Sequence, residues 1–83
     1  MIKIGEKVIL KDLSKMFPRK KQTDNGIHIK TMKKWFNKTF VVKERVYNEY
    51  FLKRKGYNYR YYFNERYLIV DKEIKLKLLN KLF

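Results

Sequence analysis

Side chains able to do covalent or proton-transfer chemistry are few in this chain and stand apart. His28 is the only histidine, and a lone imidazole without a partner acid, nucleophile or metal-ligating neighbour has nothing to act with. Ser14 lies in "KDLSKMF", without the glycine-flanked turn that presents a nucleophilic serine. The absence of cysteine removes disulfides, thiolate metal sites and a thiol nucleophile together. The 8 acidic residues are scattered, and no spacing matches a zinc or calcium site. Asp24-Asn25-Gly26 reads as a turn, because a calcium loop needs many more oxygen ligands. Gly5, Gly26 and Gly56 lie too far apart to make a loop that cradles a phosphate. The expectation is a protein that is not an enzyme and uses no cofactor or metal.

What the chain does offer is cations beside aromatic rings. Lys and Arg total 22 against 8 acids, a net charge of +14. An AT-rich genome would enrich Lys, Asn, Ile and Tyr, but the same bias would also supply Asp and Glu, so the shortage of acids needs another cause. A field this positive speeds encounter with polyanions and strengthens nonspecific binding to them. The stretch "YNYRYYFNERY", residues 57–67, sets Arg60 and Arg66 among tyrosines. Strand alternation puts Tyr57, Tyr59 and Tyr61 on one face and Asn58, Arg60 and Tyr62 on the other. The first set is expected to pack inward, since a small core needs large side chains. On the outward set, an aromatic face stacks a base while Arg meets phosphate.

The candidate binding surface therefore comprises Lys53, Arg54, Lys55, Arg60, Tyr62 and Arg66. Arg19, Lys20 and Lys21, at the tip of a basic loop, form a second candidate, against the plainer reading of a solvated loop.

These residues need elements to hold them. "KIGEKVILK" alternates after a Gly5-Glu6 turn signal, with Val8 and Leu10 on one face and Lys7, Ile9 and Lys11 on the other, so it is expected as a half-buried strand. "DLSKMFPRKKQTDNG" has turn residues and no sustained period. "IHIKTM" is expected as a short strand. In "TMKKWFNK", Met32, Trp35 and Phe36 have the spacing of one buried helical face, ending at Asn37, a residue suited to a left-handed terminus. "KTFVVKERVY" is a strand with Phe40, Val42 and Val46 on one side and Thr39, Val41, Lys43 and Arg45 on the other. After a turn at Asn48, "EYFLKR" returns as a strand. Lys55-Gly56 turns into a further strand, "YNYRYY". "FNER" is a tight turn into a last strand, "YLIV". Asp71 then caps an expected helix over "KEIKLKLLNKLF", whose stripe of Ile74, Leu78 and Leu82 suits docking on the fold or assembly with a second copy; the alternation of Ile74, Leu76 and Leu78 leaves a strand start open.

"IKIGEKVILK", "MKKWFNKTFVVKERV" and "YFLKRKGYNYRYYFNERYLI" together resemble the small SH3-like barrel proteins of Gram-positive bacteria and their phages. The resemblance covers residues 2–70. It departs at Asn37, where that pattern prefers glycine, and at Glu6, where it prefers aspartate; both residues suit the same turns. It implies a mainly β fold, a five-stranded, strongly bent antiparallel barrel with a short helical turn, and says little about function.

The 83 residues are expected to form one SH3-like β-barrel over 1–70, followed by a C-terminal helix over 71–83. No apolar run approaches the roughly 20 residues of a membrane span. "MIKIGEKVIL" is too short and too charged for a secretory signal, so a cytoplasmic location in a bacterial host cell is expected. The functional expectation is a small binding protein of phage or mobile-element type. Its partner is DNA, RNA or a host nucleoprotein, with no membrane role and with a homodimer open through the C-terminal helix. The alternative is a protein-binding inhibitor of a host nucleic-acid enzyme, such as an anti-CRISPR acting on a CRISPR nuclease. The sign of the charge excludes an acidic mimic of nucleic acid.

Overall fold

The computed structural model describes residues 2–70. Five antiparallel strands form one sheet in the order β4-β3-β2-β1-β5. They are β1 (Lys7–Leu10), β2 (Thr39–Val46), β3 (Glu49–Lys53), β4 (Tyr62–Asn64) and β5 (Leu68–Val70). One short helix, α1 (Leu13–Met16), and two 3-10 turns, Lys33–Trp35 and Glu65–Tyr67, are the other elements among the described residues.

β1 sits between β2 and β5, with Val8 opposite both Phe40 and Val70. Its alternation is as expected: Val8 and Leu10 are fully buried, and Lys7 is exposed. The turn before it needs Gly5 at φ +90, where a side chain is disfavoured. The helical turn is also as expected. Met32, Trp35 and Phe36 are all buried, and Asn37 ends the turn at φ +65.

β2 departs from simple alternation. Phe40 and Val42 are buried, but Val46 is 48% exposed. Val42 pairs with Leu52 and Glu44 with Phe51, so the register shifts by one residue at Lys43. A bulge of this kind carries everything beyond it to the other face. Val46 then falls opposite Glu49 on the outer side.

Three further expectations are corrected. "IHIKTM" is not a strand. It makes one isolated bridge, Gln22 with His28, and then turns, with the Met32 amide donating to the Ile29 carbonyl at 3.1 Å. Ile27, Ile29 and Met32 are all buried, so the core captures the side chains without a ladder. "YNYRYY" is not a strand before Tyr62. Residues 57–61 carry no ladder, because ring packing holds them: Tyr57 on Tyr59 at 5.6 Å and Tyr59 on Tyr61 at 5.9 Å. The alternation nevertheless holds, with Tyr57 buried, Tyr59 and Tyr61 half-buried, and Asn58 and Arg60 exposed. The stretch after β1 contains α1, capped by Asp12, whose carboxylate accepts from the Ser14 amide at 3.0 Å. Bonding to Ser14 holds that carboxylate below its ordinary pKa.

The expected closed barrel is an open five-stranded sheet. β4 and β5 are its two edges, and no ladder joins them among the described residues. Each edge strand is three residues long, which leaves few backbone groups for a closing ladder. The C-terminal helix expected over 71–83, with its docking or dimer role, lies outside the described residues.

The core gathers both ends of the sheet and the long β1–β2 connection. Trp35, Phe40, Val42, Leu52 and Leu68 are all buried. Phe40 and Tyr57 meet edge to face at 5.0 Å, and Trp35 and Tyr57 at 5.3 Å. Leu13, Ile27 and Ile29 plug the connection into the same cluster. Asn25 ties its tip to the β4 edge, donating from Nδ2 to the Tyr62 carbonyl at 2.7 Å.

Candidate functional site

The outer face of β3 carries Glu49, Phe51 and Lys53, since Tyr50 and Leu52 point into the core. At the β3–β4 turn, Gly56 adopts φ +82 and the Tyr57 amide donates to the Arg54 carbonyl at 3.0 Å. The chain therefore doubles back, and residues 57–60 run beside the end of β3. The β2 bulge places Lys43 near the same spot. The outcome is a hollow of about 350 Å³ whose walls include Lys43, Phe51, Lys53, Tyr57, Tyr59 and Arg60. Among the described residues, no carboxylate lines it.

Tyr62 flanks this hollow. It pairs with Phe51 across β3 and β4, with ring centroids 5.6 Å apart. Its hydroxyl donates to Glu44 Oε2 at 3.3 Å. Partial burial, with the Glu44 carboxylate adding to it, raises the Tyr62 pKa. The phenol thus stays neutral and keeps its proton for that bond. Tyr62 steadies Phe51, and Phe51 and Tyr59 contribute rings to the hollow wall. Below them, burial pushes the Tyr57 hydroxyl above the usual phenol range, with Tyr61 and Tyr59 adding to the effect.

Three cations around aromatic rings can neutralise phosphates while the rings stack bases. Of the residues expected from sequence, the structure brings Lys53 and Arg60 together here, with Tyr62 alongside. Arg54 is near but engaged: Nη1 donates to the Thr39 carbonyl at 2.8 Å, stitching the end of β3 to β2. Lys55 is exposed at the turn.

Arg66 lies elsewhere. Its Nη2 reaches Asp24 Oδ2 at 2.9 Å, and Lys20 Nζ lies 3.6 Å from the same carboxylate. Arg66 therefore joins Arg19 and Lys20 around a separate hollow of about 490 Å³, walled also by Phe17 and Pro18. Lys21 is exposed in the same loop.

Sequence reasoning did not assign Lys43, Phe51 or Tyr59 to binding. Phe51 carried a usable signal, because it stands between two inward residues and next to Lys53. Lys43 depends on a bulge that no residue type announces. Among the described residues, no group of three or more His, Asp or Glu side chains is placed to hold a metal, and no helix is long and apolar enough to cross a membrane. Comparison of the chain with protein-family models, curated proteins and solved structures finds no match.

Proposed function

We propose that this protein binds single-stranded nucleic acid through the hollow between β3 and residues 57–60. Lys43, Lys53 and Arg60 neutralise backbone phosphates, while Phe51 and Tyr59 offer ring faces to unstacked bases. The observation that carries the reading is the combination of three cations and two half-buried rings in one concavity with no carboxylate among its described lining residues. A duplex keeps its bases stacked, so ring platforms favour single strands. The bulged β2, the antiparallel five-stranded sheet and the single 3-10 turns support an SH3-like scaffold for this surface. On this reading the protein is a small accessory factor of phage or mobile-element type.

The test is fluorescence anisotropy with a labelled single-stranded oligonucleotide. Lys43→Gln/Lys53→Gln/Arg60→Gln is expected to weaken binding far more than Lys3→Gln/Lys15→Gln/Lys38→Gln, which removes the same charge at exposed positions outside the hollow. Loss of three phosphate contacts should also flatten the log–log salt dependence by about 2, at roughly 0.7 per single-strand phosphate. Equal weakening by both triple variants would leave only diffuse charge.

A second reading, a protein-binding inhibitor of a host nucleic-acid enzyme, is favoured by the β2–β3 hairpin tip. Tyr47 is 87% exposed there at φ +56, a costly conformation for an aromatic residue. The Arg45 Nε donates to its carbonyl at 2.7 Å. Pull-down from host lysate with and without nuclease separates the two: a protein partner that survives nuclease and is lost with Tyr47→Gly supports the second.

A further inference from the structure

On another part of the molecule, two lysine-bearing segments are held against each other. The Ile29 amide donates to the Lys21 carbonyl at 3.1 Å. Gln22 and His28 form an isolated backbone bridge, and the Gln22 side-chain Nε2 lies 3.3 Å from His28 Nε2. These contacts bring Lys20 and Lys21 from one segment beside Lys30 and Lys33 from the other. Together with His28 and Thr31 they line a hollow of about 540 Å³.

Among the described residues, no carboxylate lies in the wall of the hollow. Asp24 is engaged by Arg66 and Lys20, and Asp12 by Ser14. Lys21, Lys30 and Lys33 make no ion pair among the described residues. Backbone bonds thus hold Lys21, Lys30 and Lys33 close together with no partner acid among the described residues, although exposed lysines ordinarily spread apart to lower their repulsion. The volume lies in the range of small-ligand sites. The cations are all Lys, which acts on phosphate as a point charge, without the planar fork that Arg offers a carboxylate.

We infer that this hollow binds a ligand bearing two or more adjacent phosphates, such as the polyphosphate of a nucleotide or the 5′ end of a strand. The site is independent of the aromatic hollow: it shares no lining residue with it.

Isothermal titration of the full chain with inorganic triphosphate tests the inference. Saturable binding is expected, with sulfate much weaker. Lys21→Gln/Lys33→Gln should weaken triphosphate binding about tenfold or more, whereas Lys43→Gln/Lys53→Gln should leave it unchanged. All four positions are exposed, and circular dichroism checks that both variants fold. Absence of saturable binding, or equal weakening by the two pairs, would overturn the site. Two competitors then identify the source. ATP competing as well as triphosphate points to a free nucleotide. A 5′-triphosphorylated oligonucleotide competing better than ATP points to a strand end.

Discussion

The Tyr57 hydroxyl is buried and has no hydrogen-bond partner among the described residues. A buried, unpaired polar group costs about 1–3 kcal/mol, so Tyr57→Phe should be as stable as the parent or more stable. Its raised pKa adds a pH signature. A phenol whose folded pKa exceeds its unfolded value contributes stability that is intact below the unfolded value of 10.0. That contribution is lost as the pH rises above 10.0 toward the folded pKa. Denaturant melts at pH 7 and above pH 10 should show the advantage of Tyr57→Phe widening on the alkaline side. A variant less stable than the parent at both pH values would mean that the hydroxyl is paired.

The roles of single residues were legible where alternation governs them. Tyr57 and Tyr59 turn toward the core and Arg60 outward, as period two requires, even though residues 57–61 carry no ladder. Arg66 was not legible. Its partner Asp24 lies 42 positions away, and no local pattern announces that contact.

At the scale of elements, Asn37 ends the 3-10 turn in the left-handed region. Asn37→Gly should be tolerated, while Asn37→Val should cost about 1–2 kcal/mol, because a β-branched side chain clashes there. Equal melting temperatures for the two variants would contradict this terminus. Trp35 packs on Phe40 and Tyr57, so Trp35→Ala should cost about 3–5 kcal/mol, read as a large fall in denaturation midpoint.

β1 and the helical turn at residues 32–37 could be read from sequence because one period and one terminal residue specify each of them. "IHIKTM" could not, because Ile27 and Ile29 alternate like a strand while the chain is already turning toward Met32. Val46 could not either, since the bulge at Lys43 reverses its face without a glycine to mark it.

At the scale of the molecule, the five described strands share one sheet and one aromatic core within residues 2–70. A chain ending at Val70 should therefore still unfold cooperatively in a thermal melt; a broad, non-cooperative transition would show that the described core is not sufficient.

A net charge of +14 ensures salt-sensitive attraction to any polyanion, so salt dependence alone cannot identify the hollow. Composition made the polyanion expectation available. The division of basic residues among separate hollows depends on the turn at Gly56, the bulge at Lys43 and the Asp24 ion pairs, none of which composition contains.

The stacking claim is tested most directly by the affinity of folded Phe51→Ala for a single-stranded oligonucleotide at fixed salt. Phe51 is half-buried and outward-facing, so the fold should survive, which near-ultraviolet circular dichroism verifies. Removing the ring leaves every charge in place. Affinity should fall about tenfold to a hundredfold, the range of a lost base–aromatic stack, and Phe51→Tyr should restore it. Parent-like affinity in Phe51→Ala would contradict the account and reduce the hollow to a patch of positive charge.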